Sequence, residues 1–538
     1  MARPRSSRPL RRLGGETTLA QSVLWLLGAS VGAKAVGFLR SLYTCRLLPQ
    51  EELGRWDLAY GFLLLAAPVV MLGIPGSFGR YLEHFAQRRC LRGMLRRCLL
   101  ALGGLTLAGV LALVAFPRGF AWLILDLPQQ RTFVFYLAGA LGFSMWMFVL
   151  QEVFGGLRRF RLVAALQALH TLLFAVSSVA LLLWWRKAAE AVLLGFALAA
   201  AVSTTLGLWW LRSTWDQLPE DHHRGSTFPL WRRMMQFALW VWLTNWLANL
   251  FQVMDRYMLV HLSRLEPHRV LAQVGNYHAA WVLPLVVITV AGVIHSALVP
   301  HLSQSWEQGR RVHVRRTLRR FVRLGSLVLC LVLLGIQGLH VPMFHWFLQH
   351  KYPLAGEVLP WVSVLVAWAV LALLVGCYLW CAERAHWETA AVAAALAANA
   401  VLNALLIPRW QLHGAVVATT AAHLVLLGVM VAVAARQGWP LRGREWLLLA
   451  APGTLLVGVW LLAAVTMLLL WDLLVAQRLF PPGDARFVLR CGKQLQGRLL
   501  PLRSPPGQWQ SPPAEPSVPA QSPGAEAPCI SRGENVPG

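Results

Sequence analysis

The sequence predicts an all-α polytopic membrane protein made of two pseudo-symmetric six-helix bundles, with one or two extra helices at the C-terminal end. Three observations support this prediction. The 538-residue chain is 57% hydrophobic and only 13% charged. Apolar runs of about 20 residues, each long enough to cross a bilayer, recur along it. A soluble protein of this length would contain amphipathic periods and more charge. The third observation is that one sequence pattern occurs twice.

The repeated pattern covers residues 54–97 and 275–323. Each copy has a glycine followed two residues later by an aromatic, then a long apolar run, a polar exit and an arginine-rich loop. Gly54 aligns with Gly275, so the copies lie about 220 residues apart in the same direction. Parallel repeats in membrane proteins are related by an axis along the bilayer normal, with the substrate path between them.

The apolar runs predict membrane spans at 18–39, 57–79, 98–117, 132–153, 162–185, 189–211, 236–261, 276–300, 324–343, 357–381, 386–407 and 412–435. They divide the chain into a basic cytoplasmic arm (1–16), an N-terminal lobe (17–212), a cytoplasmic linker (213–233), a C-terminal lobe (234–436), an extra membrane segment (445–476) and a basic, then Pro/Ser/Gly-rich tail expected to be disordered (477–538). The last apolar block is too long for one comfortable span and too short for two. Its basic flank favours a cytoplasmic C-terminus and its length favours one tilted helix, so both readings stay open.

The net charge of +26 comes almost entirely from arginines in short loops between spans. Such loops stay on the cytoplasmic side, which places the N-terminus inside and argues against nucleic acid as a partner. The residues 80–97 and 310–323 contain six and seven arginines. The eight scattered cysteines indicate neither a disulfide framework nor a metal site, and no cofactor is expected.

Ionisable residues inside spans are costly and need a reason. The first span contains Lys34 and Arg40, and the seventh contains one polar helical face with an adjacent acid: Asn245, Asn249, Gln252 and Arg256, with Asp255 beside them. These faces either line a water-filled cavity between the lobes or serve structure. In the structural reading Asp255 pairs with Arg256 or Arg40, and Lys34 extends to the interface.

Three weaker features remain. A polar stripe on the fifth span includes Gln167 and His170, and His278 on the eighth span is either a packing or a proton-coupling histidine. Glu51, Glu52 and Asp57 cluster in what the span boundaries make the first outer loop. They suit either a membrane glycosyltransferase or, as we prefer, a charged loop that begins the next helix.

Three stretches carry a family resemblance: RLLPQEELGRWDLAYGFLLLAAPVVMLGIPGSFGRYL from Arg46, VGNYHAAW from Val274 and NAVLNALLIPRWQLHGAVVATTAAH from Asn399. Together they resemble the Wzx-type polysaccharide and O-antigen (lipid-linked oligosaccharide) flippases, within the multidrug/oligosaccharidyl-lipid/polysaccharide exporter superfamily. The resemblance spans about residues 17–476. One departure is that Gln411 or Leu412 replaces the glycine usual before the second turn of the third stretch.

The resemblance implies a cationic central cavity and alternating access. The implied substrate is undecaprenyl-diphosphate-linked oligosaccharide, moved from the inner to the outer leaflet of the bacterial cytoplasmic membrane. The substrate site would comprise Lys34, Arg40, Arg256, Asp255, Asn249, Asn245 and Gln252, with the diphosphate on the three cations. The basic loops either form a cytoplasmic gate rim of Arg80, Arg88, Arg89, Arg315 and Arg316 or serve only to set the topology.

Implied partners are membrane lipids and polysaccharide polymerase or export machinery, and no enzymatic activity is expected. Three alternatives stay open. They are a lipid II flippase, a cation-coupled multidrug exporter of the same superfamily, and a membrane glycosyltransferase or polymerase. The exporter predicts acidic cavity groups, and Lys34 and Arg40 argue against it.

Overall fold

The computed structural model describes residues 19–88, 90–218, 228–441 and 443–487, and at 19–31, 79, 80, 228, 229 and 385 only the backbone. The described chain is helical. Its helices are α1 (Leu19–Leu47), α2 (Gln50–Met71), α3 (Phe78–Gln87), α4 (Leu91–Ala115), α5 (Pro117–Leu125), α6 (Arg131–Gly156), α7 (Phe160–Trp184), α8 (Ala189–Trp215), α9 (Phe228–Leu262), α10 (Pro267–Glu307), α11 (Arg311–Val341), α12 (Pro353–Cys381), α13 (Ala385–Arg436), α14 (Gly443–Ala450) and α15 (Val459–Trp471).

Within the described residues, 10 helices are long and apolar enough to cross a membrane. Helix α9, which carries the polar face singled out above, is not among them. Helix α13 counts once although it contains the eleventh and twelfth predicted spans. The predicted fold class, an all-α polytopic membrane protein of two six-helix bundles with an additional C-terminal segment, is confirmed.

The two lobes repeat the same helix packing. In the first lobe α1 packs on α7, α6 on α8 and α4 on α6. In the second lobe α9 packs on α13, α12 on α13 and α11 on α12. The lobes meet mainly where α2 packs against α10 and α9, so the helices that carry the two copies of the repeat also form the contact between the lobes.

A break divides α13 into two spans. Gln411 takes a left-handed conformation (φ 51°) that residues with a side chain rarely adopt. Its side-chain oxygen accepts a hydrogen bond from Gln273 Nε2 at 2.8 Å, which helps to hold this turn. Gln411 is one of the two residues that replace the family's usual glycine, so the departure from the motif falls on a strained position.

The segment after α13 is a hairpin whose two ends lie at the same end of α11. Near its start, Glu445 pairs with Arg319 and Arg323. After its return, Asp484 pairs with Arg320 and Arg323. The backbone rises through α14 and a 3-10 turn to Leu456, and returns through α15 and a π turn to Ala476. This geometry resolves the ambiguous apolar block as two short limbs, so both flanks lie on the arginine-rich side.

We expect Asp484→Asn to loosen this hairpin. The Asp484 carboxylate is 1% exposed and accepts from Arg320 Nε at 2.8 Å and Arg323 Nε at 2.9 Å. Breaking a buried pair typically costs ~3–5 kcal/mol. The apparent unfolding temperature of the purified protein in detergent should therefore fall. Glu266→Gln is the control, because its pair with Arg269 is exposed and contributes little. An equal effect of both substitutions would show that the Asp484 ion pairs do not hold the hairpin.

Several predicted segments fall outside the described residues. They are the basic arm 1–16, part of the linker 213–233 (219–227), and the tail beyond residue 487.

Candidate functional site

We call the end of the bundle with the arginine-rich loops the inner end, and the other the outer end. At the outer end the aligned glycines of the repeat lie against each other. A Cβ built on Gly54 would lie 1.9 Å from the Leu271 carbonyl oxygen, and one on Gly275 would lie 1.9 Å from the Gln50 carbonyl oxygen. Only glycine allows α2 and α10 to approach this closely.

Polar contacts close the outer end around this glycine pair. Asn276 Nδ2 donates to Gln50 Oε1 at 2.8 Å, and Gln50 Nε2 donates to the Lys351 carbonyl. The Tyr352 hydroxyl donates to the carbonyls of Cys45 and Leu48, at 2.8 and 3.0 Å. Both lobes are therefore joined at this end through backbone as well as side-chain atoms.

Deeper between the lobes lies a charged group that we call the inter-lobe cluster: Asp57, Arg256, His278, Asp255 and Tyr277. Asp57 of the first lobe lies 2.6 Å from Arg256 Nε and 2.6 Å from His278 Nδ1, both of the second lobe. Its side chain is 7% exposed, and that of Arg256 is 12% exposed. One carboxylate thus holds two helices of the opposite lobe, and Arg256 already has an anionic partner.

Asp255 faces the interior of the second lobe. The Tyr277 hydroxyl donates to its Oδ2 at 2.7 Å, and Thr419 Oγ1 donates to the same oxygen at 3.2 Å. Arg256 Nη1 lies 3.7 Å from Asp255 Oδ1. Asp255 therefore serves as an internal partner that links α9, α10 and α13.

The other polar residues of the α9 face have different surroundings. Asn249 Nδ2 donates to the Leu64 carbonyl of the first lobe at 3.0 Å. Asn245 and Gln252 are exposed. The predicted polar face therefore exists, with part of it joining α2 and part of it uncovered.

The middle of α1 and the inner half of α10 present uncovered faces. Lys34 is exposed, and a Cβ added at Gly37 or Gly292 would meet nothing within 4 Å. Val290 and Ile294 of α10 are 53% and 46% exposed. The inner half of α10 is thus uncovered, whereas the outer end is closed.

Arg40 lies on the first-lobe side, against aromatic rings. Its Cζ is 4.0 Å from the centroid of the Phe174 ring, a cation–π distance. Its Nε is buried without a hydrogen-bond partner. Among the described residues Arg40 makes no ion pair with a carboxylate, in contrast to Arg55, which pairs with Glu51 and Glu52 at 2.6 and 3.1 Å.

The residues predicted to form a gate rim do not share one environment. Arg88 and Arg316 are exposed. Arg315 packs beside the turn after α13, with its Nη2 3.1 Å from where a Cβ of Gly438 would lie. The side chain of Arg80, and Arg89 as a whole, lie outside the described part of the chain.

Asp57 is the residue whose position sequence reasoning missed. Glu51, Glu52 and Asp57 lie in α2 and not in an outer loop, because α2 begins at Gln50. The signal was present: Pro49 followed by two glutamates in the first turn is typical of a helix start. Starting the helix there places Asp57 two turns inside it, where His278 and Arg256 meet it.

Comparison with known proteins agrees with this architecture. A family model described as polysaccharide biosynthesis protein matches residues 19–306. No curated protein sequence matches the chain.

Among solved structures, the lipid II flippase MurJ in an inward closed conformation aligns with a TM-score of 0.63 at 10% identity, covering 84% of this chain and 98% of that one. An inward-facing multidrug resistance MATE family transporter of the MOP superfamily aligns with a TM-score of 0.58 at 11% identity, covering 77% and 97%. At these identities the likeness concerns the fold. The chain therefore belongs to the polysaccharide biosynthesis protein family, and it has the transporter fold of the superfamily that its motifs resemble.

Proposed function

We propose that this protein moves an undecaprenyl-diphosphate-linked oligosaccharide from the inner to the outer leaflet of the bacterial cytoplasmic membrane by alternating access. The diphosphate would bind at the cationic side of the first lobe, at Arg40 and Lys34. The sugars would occupy the space between the lobes, and the polyprenyl chain would extend into lipid. Polysaccharide polymerase or export machinery would receive the product.

The observation that carries this proposal is the charge of Arg40, which pairs with no carboxylate among the described residues and has a buried Nε. A charge within the membrane is costly unless it is paired or faces an aqueous path or a ligand. Arg256 has Asp57, and Arg55 has two glutamates. Arg40 has an aromatic ring in place of a carboxylate, which suits a site whose counter-ion arrives with the substrate.

The arrangement of the two ends supports alternating access. The outer end is closed by the glycine pair and the contacts of Gln50, Tyr352 and Asp57. The inner half of α10 is uncovered at Val290 and Ile294. An anionic head group would enter from the inner side, and rocking of the lobes would break the outer contacts to release it.

The geometry favours a transporter over the glycosyltransferase alternative. Catalysis at Glu51, Glu52 or Asp57 needs a carboxylate free to act on substrate. Glu51 and Glu52 pair with Arg55, Glu52 Oε2 also accepts from the Ala189 amide at 2.8 Å, and Asp57 pairs with Arg256. Each of these acids already holds a structural partner.

Arg40→Gln is expected to slow transport strongly. In liposomes with a labelled undecaprenyl-diphosphate oligosaccharide, an impermeant reagent reports the leaflet that holds the label. Loss of a charged hydrogen-bonding partner should lower the rate about tenfold or more. Arg40→Lys should retain part of the rate, since charge remains while the planar donor fork is lost. Arg161→Gln, at an exposed site on α7, should have no effect.

Unchanged transport in Arg40→Gln would remove the main support for the proposal. Lipid II in the same vesicles tests the alternative flippase. Movement of lipid II but not of the oligosaccharide lipid would assign the protein to peptidoglycan precursors.

A further inference from the structure

Arg40 lies among aromatic side chains of the first lobe, contributed by α2, α7 and α8. Phe174 and Phe196 meet edge to face with centroids 5.1 Å apart, and Trp56 lies 5.8 Å from Phe174. His170, one turn before Phe174 on α7, meets Phe196 at 5.3 Å. We call Arg40, His170, Phe174, Phe196 and Trp56 the Arg40 pocket.

Two nitrogens in the Arg40 pocket lack a partner. Arg40 Nε and His170 Nε2 are both buried and make no hydrogen bond with any residue that the structure describes. Both side chains lie beside the Phe174 ring, whose centroid is 4.0 Å from Arg40 Cζ and 6.1 Å from the His170 centroid. Leaving a buried polar nitrogen unpaired costs about 1–3 kcal/mol, so an acceptor that reached both nitrogens would bind favourably.

The chemistry of the pocket selects an oxyanion. A guanidinium donates several N–H groups in one plane, and it binds phosphate oxygens in pairs. An imidazole donates one further N–H when its proton is on Nε2. Phe174 covers one face of the guanidinium, with its ring centroid 4.0 Å from Cζ. Among the described residues no carboxylate pairs with Arg40. An anionic group of the substrate would therefore not compete with an anion of the protein.

We propose that Arg40 and His170 together bind one phosphoryl group of the lipid-linked substrate, with His170 donating through Nε2. This inference rests on the proposed function and deepens it, because it adds a residue from α7 to the cations of α1. His170 then makes the lobe selective for a phosphorylated lipid over the free alcohol. Helices α1 and α7 become coupled through the bound head group.

The test is equilibrium binding of radiolabelled undecaprenyl diphosphate to the purified full chain in detergent. Undecaprenol and inorganic diphosphate serve as the other two probes. Wild type should bind the diphosphate lipid about tenfold or more tightly than undecaprenol. His170→Phe and Arg40→Gln should each lose most of that difference. His170→Gln, whose amide nitrogen can replace Nε2 as donor, should recover part of it.

Thr171→Ala is the matched control, because Thr171 Oγ1 donates only to the Gln167 carbonyl one turn away on the same helix. It should bind like wild type, which separates loss of the donor from general damage to α7. In a double-mutant cycle the losses from Arg40→Gln and His170→Phe should be non-additive, since both act on one group.

Three results would overturn the inference. They are wild-type binding in His170→Phe, equal binding of diphosphate lipid and undecaprenol by wild type, and an affinity for inorganic diphosphate equal to that for the lipid. The last would assign the pocket to a free anion. The leaflet assay keeps this test separate from the proposed function. If the protein transports the lipid but His170 does not contribute to binding, only the Arg40 pocket is rejected. If His170 contributes to binding but no transport is observed, only the proposed function is rejected.

Discussion

Gly275→Ala is expected to force the outer ends of the two lobes apart. The new Cβ would lie 1.9 Å from the Gln50 carbonyl oxygen and 2.8 Å from its carbonyl carbon. Both are backbone atoms inside a helix, so no side chain can turn aside. Ordinary carbon contacts begin near 3.5 Å, so α2 and α10 must separate by about 1.5 Å. Overpacking of this kind typically costs ~1–3 kcal/mol.

The separation can be measured as a distance between spin labels at Gln129 and Glu266, which are exposed near the outer ends of the two lobes. The six described cysteines are buried, and Cys491 and Cys529 would be replaced by serine. The label distance should lengthen, and transport should slow because the closed outer end is lost. Gly54→Ala should act in the same way, against the Leu271 carbonyl.

Gly104→Ala is the control for both substitutions. A Cβ at Gly104 of α4 would meet nothing within 4 Å. Alanine there should leave the label distance unchanged and stabilise the helix by up to ~1 kcal/mol. An unchanged distance in Gly275→Ala as well would mean that the lobes do not depend on this contact.

This glycine pair illustrates how far sequence alone could go. Aligning Gly54 with Gly275 predicts two similar lobes, because a repeat in one direction implies a repeated bundle. The alignment does not say that the two glycines touch. Equivalent positions meet only if they lie beside the axis that relates the lobes, and the position of that axis is a property of the packed structure.

The same limit applies to the charged residues. Spacing along a helix predicts that Asn249 and Arg256 share a face, and both contact α2. Spacing cannot identify the distant residue that pairs with each charged side chain. Asp57 pairs with Arg256 across 199 positions of sequence, whereas Arg40 lies against the Phe174 ring. The hairpin from α14 to α15 was ambiguous for a similar reason. Composition gives the length of the apolar segment, but it does not say whether the chain turns back within it.

Arg256→Gln is expected to be among the most damaging substitutions in the chain. It removes the positive charge between Asp57, 2.6 Å away, and Asp255, 3.7 Å away. Two buried carboxylates would then face each other with no arginine between them. Breaking a buried pair typically costs ~3–5 kcal/mol, mostly because the remaining charge is uncompensated. The apparent unfolding temperature in detergent should fall well below that of wild type.

Arg158→Gln is the matched control. Arg158 pairs with Glu83 at 3.8 Å, but the two side chains are 77% and 50% exposed. Exposed pairs contribute about 0–1 kcal/mol, so this variant should unfold like wild type. Similar stability in Arg256→Gln would show that the inter-lobe cluster contributes little to holding the lobes together.

A compensating variant separates the structural role of Arg256 from substrate binding. In Asp57→Asn/Arg256→Gln the closer pair is neutral, and neutral groups of similar shape can replace a buried pair at little cost. Stability should therefore return part of the way towards wild type, because Asp255 still lacks the Arg256 charge. If Arg256 acts mainly by closing the outer end against Asp57, transport should return as well. If Arg256 also binds the diphosphate, stability should recover while transport stays low, because the substrate has lost a cation that asparagine and glutamine cannot replace.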